Sequence, residues 1–358
     1  MKDIPVVDCD VHVHENPQEL AEHCEEPWRR TLTEIDASTE RSLDLPGLSL
    51  GGQSGPDPTW PVNRNRRFVV GSPDRLKEEL GNMGIERAVL FPDHLLKLAI
   101  FPNKDYAMAV ARAYNRWLVE KWTGTEGLFG ALCVAPQDPE GSAEEIGRFK
   151  RDKNIVCVYL PAAGVHPLYG DSKYDAVYEA AEKNGLPVVL HSVGIVHPNF
   201  PFQLEQFPNE FGRHVFAHPT AMSANLVHMM STGVPVRYPK LKICFMEAAI
   251  SWVPWVMMRM DKEYQEYRYQ VPFLTERPSH YVRNFYYGTQ PIEEPEKASD
   301  YLKLLELIGD YRRVCFSSDW PHHDFDHPSK LLSYPLPEDV KRMIAAENAV
   351  ELFGLPKS

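Results

Sequence analysis

The chain has 358 residues, 43% of them hydrophobic and 25% charged, and a formal net charge of −12. That size and composition suit one large α/β domain with a substantial core. The acidic balance argues against nucleic acid or an anionic membrane as the main partner, because both select clustered Lys and Arg, and no apolar run approaches the roughly 20 residues that span a bilayer.

Met1-Lys2-Asp3-Ile4-Pro5 leads directly into an apolar run with no secretory h-region. Ile4–Val11 reads as the first strand. From Pro27 to Gly71 the chain is irregular and rich in Pro, Gly, Ser and Arg. This segment has the character of an active-site lid, with a solvated insertion as the alternative. Helical periodicity resumes over Pro73–Met83, and Gly84 ends it. Ile85–Phe91 then reads as a strand and Lys104–Thr123 as a helix. Leu128–Val134 is the third strand, followed by a helix over Ser142–Asp152 with Ser142 and Glu145 as a capping box.

Ile155–Leu160, Pro187–Leu190, Leu241–Met246, Asn284–Tyr287 and Val314–Phe316 continue the strand series. Between and after them, helices are expected over Asp175–Lys183, Ala221–Ser231, Trp252–Tyr267, Tyr301–Ile308 and Pro337–Phe353. Eight strands alternating with helices predict a parallel sheet closed into a (β/α)₈ TIM-type barrel, with an open doubly wound sheet as the alternative. No internal repeat or linker divides the chain. Residues 1–358 therefore read as a single domain, with 27–71 as a lid inserted after the first strand.

Six cysteines occur without a CxxC pair, and Cys9, Cys133, Cys157, Cys244 and Cys315 fall inside apolar runs. Such thiols act as small buried hydrophobes, which places the protein in a reducing compartment, the cytoplasm.

Chemistry in such a barrel sits where strands end. The first strand runs into Asp10-Val11-His12-Val13-His14, the fifth into His191, the sixth into Glu247 and the eighth into Ser317-Ser318-Asp319. Two His at i and i+2 on a strand share a face, so both imidazoles can reach one ion at the barrel mouth. His191 approaches from the opposite wall. Asp319 supplies a hard oxygen that can also move a proton. Three imidazoles and one carboxylate suit Zn²⁺, with Mn²⁺, Fe²⁺ or Co²⁺ as substitutes. His-x-His alone is a weak pattern in a chain with fourteen histidines; its conjunction with two further strand ends gives it weight.

At these residues the sequence resembles the amidohydrolase superfamily, and within it the amidohydrolase family 2 group. That group includes aminocarboxymuconate-semialdehyde decarboxylase and resorcylate-type decarboxylases. The matching pieces are Val7–His14, Leu186–His191, Gly233–Lys242, Phe316–His322 and Glu347–Leu355. The resemblance implies a barrel, one divalent metal held by His12, His14, His191 and Asp319, and a homodimer. Some members use a carboxylate-x-His pair instead, which here would be Asp10 with His12; the commoner pattern favours His12 with His14. Many members carry a His at the end of strand six. Here Glu247 stands there, either as a proton shuttle or as a structural carboxylate at a helix start, with His218 as the nearest imidazole to replace the missing one.

The reaction expected is non-oxidative decarboxylation of a small aromatic or unsaturated acid, with Asp319 or Glu247 supplying the proton. The alternative is hydrolysis of a C–N, C–O or C–C bond by metal-activated water, and a non-catalytic binding barrel is a third reading. Arg64, Arg66 and Arg67 form a basic patch in the lid, with Arg67 as the candidate for holding a substrate carboxylate. His322 and His323 follow Asp319 and are candidate substrate contacts. Trp252, Trp255, Met257, Met258 and Met260 read as core or dimer-interface packing. No Gly-x-Gly-x-x-Gly or Walker loop points to a nucleotide.

Overall fold

A computed structural model of the protein describes residues 4–34, 71–193, 204–309 and 311–356. Eight strands form one parallel sheet in sequential order. They are β1 (Val6–Val13), β2 (Ile85–Pro92), β3 (Leu128–Cys133), β4 (Ile155–Pro161), β5 (Val188–His191), β6 (Ile243–Met246), β7 (Tyr286–Gly288) and β8 (Val314–Cys315). Backbone bonds from Cys9 N–H to Phe316 O (3.0 Å), Asp319 N–H to Asp10 O (3.0 Å) and His12 N–H to Trp320 O (2.8 Å) join the last strand to the first. The sheet therefore closes as the TIM barrel expected. Nearly every strand residue is buried, as a parallel sheet with helices outside and side-chain layers inside requires.

The helices that cover it are α1 (Pro17–His23), α2 (Trp28–Glu34), α3 (Pro73–Asn82), α4 (Lys104–Lys121), α5 (Pro139–Arg148), α6 (Asp175–Asn184) and α7 (Glu210–Ser231). They continue as α8 (Val234–Arg237), α9 (Trp252–Tyr267), α10 (Pro278–Val282), α11 (Asp300–Ile308), α12 (Pro328–Ser333), α13 (Glu338–Arg342) and α14 (Asn348–Phe353). Among the described residues no helix is long and apolar enough to cross a membrane. Part of the expected lid, Trp28–Glu34, is helical; residues 35–70, which carry the rest of it, lie outside the described residues. All six cysteines are buried and unpaired. Trp252, Met257 and Met260 face the core, whereas Trp255 and Met258 are exposed.

Three local expectations differ from the structure, each for a physical reason. Helix α5 begins three residues before Ser142, because Asp138 caps it by accepting from Gly141 N–H. Ser142 Oγ instead donates to Ala135 O (2.9 Å), and Glu145 accepts from Asn115 Nδ2 (3.2 Å). Both residues of the expected capping box thus serve tertiary contacts. Helix α7 starts at Glu210 rather than Ala221. Its Asn209 cap accepts from Gly212 N–H, and the helix runs through Pro219, where a proline usually marks a break.

The last helix is interrupted by a π-turn at Met343–Glu347. Within that turn the Ile344 carbonyl accepts from Phe316 N–H (2.8 Å), and Asn348 Nδ2 donates to Val314 O (2.6 Å). The helix thus holds the strand end that precedes Asp319, a common placement for π-turns. It also takes Phe316, expected in β8, out of the strand ladder.

Candidate metal and proton-transfer site

The polar ends of six strands meet at one mouth of the barrel. On β1, Asp10 and His12 both face inward and are fully buried, as the two-residue period demands. His12 gives Nδ1 to the Pro92 carbonyl (2.7 Å), which turns Nε2 toward the centre. His191 is oriented likewise, with Nδ1 2.9 Å from Ser192 O and Nε2 2.9 Å from Asp10 Oδ1. Fixing one ring nitrogen on a carbonyl to present the other is how metal-binding imidazoles are held.

Asp319 Oδ1 lies 3.0 Å from His12 Nε2, and Asp10 Oδ1 lies 3.3 Å from it. Ligands about an ion with bonds near 2.1 Å stand roughly 3 Å apart, so this spacing fits a shared cation. His12 Nε2 and Asp10 Oδ2 are buried, yet neither has a hydrogen-bond partner despite the carboxylates around them. Buried polar atoms at this spacing that still form no aligned hydrogen bond mark side chains aimed at a common point rather than at one another. Asp10, His12, His191 and Asp319 therefore fit a divalent metal.

His14 is placed elsewhere. It shares the inward face but sits beyond the ladder, where Nε2 contacts Asp93 Oδ2 (2.7 Å). The donors that converge with His12 and His191 come from Asp10 instead. The expected His12/His14 register is thus shifted by two residues in the geometry. Strand height, which sequence periodicity does not encode, decides which rung meets the centre.

Around the cluster, charges are balanced pairwise. Burial works against ionisation of Asp10, but the His191 and His12 imidazoles outweigh it and hold the carboxyl low. Burial and neighbouring His322 lower the His12 pKa, yet Asp10 and Asp319 raise it to about 9. Glu247 is different: burial, then the Asp319 charge, push it up to about 8, so it holds a proton at neutral pH. His218 gives Nδ1 to the Glu247 carbonyl (3.1 Å) and is kept neutral by burial and by His214. Its Nε2 is buried with no partner. Glu247 and Asp319 have φ of 58° and 62°, left-handed values that non-glycine residues rarely adopt away from functional sites.

His322 lies beside Asp319, with Nδ1 2.7 Å from Asp319 Oδ1 and Nε2 3.1 Å from Asp93 Oδ1. Burial opposes its charge, but these two carboxylates raise it well above the usual imidazole range. Its ring stacks on His12 at 4.2 Å between centroids. His323 is half-buried at the rim and turns toward Asp324. Arg67 lies outside the described residues.

Asp93, Gln290 and Asp8 escaped the sequence reading, whereas Glu15 is the supporting residue that the Asp10/His12 register implies. Asp93, at the end of β2, joins His14 to His322. Gln290, just past β7, places Nε2 3.4 Å from Asp319 Oδ2. Asp8 Oδ1 accepts from the backbone N–H groups of Asp10 (3.1 Å) and Ser318 (2.9 Å), tying the two carboxylate-bearing strand ends together. Glu15 accepts from the N–H groups of Asp93, His94 and Leu95 and so fixes the Asp93 loop. Asp93 and Gln290 obey the same strand-end rule that singled out His191 and Asp319.

Comparisons with known proteins identify the family and the fold. The amidohydrolase family model matches residues 7–355. A gamma-resorcylate decarboxylase from Polaromonas sp. (strain JS666) is 26% identical over 342 residues, covering 90% of this chain and 98% of that protein. A 6-methylsalicylic acid decarboxylase from Penicillium expansum is 25% identical over 267 residues, covering 71% of this chain and 78% of the relative. Among solved structures, a dihydroxybenzoic acid decarboxylase from Polaromonas sp. JS666 with bound manganese and 2-nitroresorcinol aligns with TM-score 0.71 at 18% identity, covering 99% of this chain and 98% of that one. The 5-carboxyvanillate decarboxylase of Sphingomonas paucimobilis aligns with TM-score 0.73 at 20% identity, over 99% and 100% of the two chains. With the family model spanning nearly every strand and every polar strand end described above, the chain belongs to the amidohydrolase family.

Proposed function

We propose that this protein is a metal-dependent, non-oxidative decarboxylase of a small hydroxylated aromatic acid, working at Asp10, His12, His191 and Asp319. The observation that carries this reading is a proton store built against the candidate ligands. His322 bridges Asp319 and Asp93 through its two ring nitrogens, and these carboxylates push its pKa up against the opposing effect of burial. A decarboxylase must put a proton on the carbon that loses CO₂, whereas a hydrolase must take one from water. The names of the relatives, gamma-resorcylate and 6-methylsalicylic acid decarboxylases, support the same reaction class.

Two carboxylates with two imidazoles make a harder donor set than the three imidazoles and one carboxylate first expected. We therefore assign Mn²⁺ ahead of Zn²⁺, in keeping with the manganese in the Polaromonas structure. Held by these four side chains, the cation would supply a fixed positive charge that attracts an anionic substrate and offsets charge as it moves into the ring. Asp319, recharged by His322, gives a proton to the ring carbon; the carbon–carbon bond then breaks, its electrons restore the aromatic ring, and CO₂ leaves. Gln290 restrains the second oxygen of Asp319. Glu247, with Oε2 3.3 Å from His191 Nδ1 and its backbone carbonyl held by His218, is the donor assigned to substrate oxygen. The buried free thiols suit the reducing cytoplasm, and a homodimer is the assembly proposed.

Purified protein loaded with Mn²⁺ in D₂O is expected to release CO₂ from 2,6-dihydroxybenzoate or a related hydroxybenzoate and to leave one deuterium on the vacated carbon. If a panel of such acids releases no CO₂ while esters or lactones are hydrolysed, the decarboxylase reading is wrong and the hydrolase reading replaces it. Glu247→Gln is expected to keep the metal and lose about 10²-fold or more in turnover, because an amide fills the space but cannot pass on a proton. Turnover near wild type would remove Glu247 from the reaction.

A further inference from the structure

Outside the inner cluster, another group of ligand-type side chains converges at the rim of the barrel. His214 on α7, with His323 and Asp324 in the loop after β8, each offer one atom, all within 4.8 Å of one another. His214 Nε2 stands 3.6 Å from Asp324 Oδ2, and His323 Nδ1 stands 3.5 Å from Asp324 Oδ1. The two imidazoles meet edge to face, with centroids 5.4 Å apart. All three side chains are about a quarter exposed, at 27%, 26% and 22%.

We propose that His214, His323 and Asp324 form a second, outer site for a divalent cation, taking Zn²⁺ or a similar late first-row ion. Four observations carry it. Both His–Asp separations, 3.6 and 3.5 Å, are longer than a normal hydrogen bond and close to the spacing of two ligands on one ion. They come from two elements about a hundred positions apart in the chain, so no local turn explains their meeting. The Asp324 carboxylate repels an anionic ligand and selects a cation. Partial exposure lets an ion enter from solvent while keeping water in its remaining positions, the arrangement of an open three-ligand zinc site.

Two imidazoles and one carboxylate form a softer set than the inner two-carboxylate cluster, so the two sites differ in preference. They are also joined. Gln290 Nε2 lies 3.3 Å from Asp324 Oδ2 and 3.4 Å from Asp319 Oδ2, one amide touching a carboxylate of each. The outer site does not depend on which reaction the inner one performs.

Full-length protein stripped with a chelator and titrated with Zn²⁺ alone tests the proposal, with bound metal measured by elemental analysis and calorimetry. The wild type is expected to bind two equivalents. The double variant His214→Ala/His323→Ala binds one, and His12→Ala/His191→Ala retains the other. Asp324→Asn, which preserves size and has its folding checked by circular dichroism, weakens the outer equivalent about tenfold or more, since a charge adjoining the ion is lost. A wild-type stoichiometry of one overturns the proposal. So does a second equivalent that Asp324→Asn leaves undiminished, or one that survives in a folded His214→Ala/His323→Ala protein.

Discussion

Asp319→Asn is expected to fold and to take up Mn²⁺ at saturating concentration, yet to lose about 10³-fold or more in turnover. The side chain is fully buried, and its backbone is locked by the Asp319 N–H to Asp10 O bond and by His322 N–H donating to Asp319 O. An amide of the same shape preserves these contacts, so stability changes little. What it removes is the only carboxylate oxygen that lies within 3.0 Å of both His12 Nε2 and His322 Nδ1 among the described residues. An amide oxygen can still face a cation, but it cannot carry the His322 proton to the ring carbon. Steady-state rates, elemental analysis and thermal unfolding on one preparation separate these effects. A variant with near-normal turnover would take Asp319 out of proton transfer.

The second large effect distinguishes the two registers of the opening motif. Asp10→Ala is expected to bind far less than one equivalent of Mn²⁺ at concentrations that saturate the wild type, whereas His14→Ala stays close to one. Asp10 lies 2.9 Å from His191 Nε2 and 3.3 Å from His12 Nε2, so its loss removes a ligand and the carboxylate that His191 Nε2 faces, leaving His12 with Asp319 alone. His14 instead pairs with the Asp93 carboxylate, beyond the cluster. Its loss loosens the support of His322 and lowers metal affinity by about tenfold, typical of a residue that orients a ligand's neighbour. The opposite ranking, measured by elemental analysis and Mn²⁺ titration, would restore the His12/His14 register.

The contrast between these two residues shows where sequence reasoning reached and where it stopped. His191 and Asp319 were legible because each ends an apolar strand with a ligand-type side chain, and a parallel barrel brings such ends together. Asp10, His12 and His14 share one face by periodicity, but which of them sits level with His191 depends on how β1 is staggered against its neighbours. The register shift within the β1–β2 pairing between Asp8 and Val11 is one such stagger, and no spacing in the sequence announces it. Glu247 was singled out by position, yet its raised pKa follows from burial beside Asp319, a tertiary fact. The capping box at Ser142 failed for a similar reason: Ala135 and Asn115 recruit its two side chains from outside the helix. Asp93 and Gln290 show the rule applied too sparingly, since both follow strand ends in the same way as the residues that were chosen.

The central claim is that Asp10, His12, His191 and Asp319 hold one divalent ion in the barrel mouth. Anomalous diffraction from crystals loaded with Mn²⁺ tests it most directly. The account predicts a peak within about 2.0–2.2 Å of His12 Nε2, His191 Nε2 and one oxygen each of Asp10 and Asp319. A peak ligated by His14 with Asp10 turned away, or no peak among these four side chains in a fully loaded crystal, would contradict it.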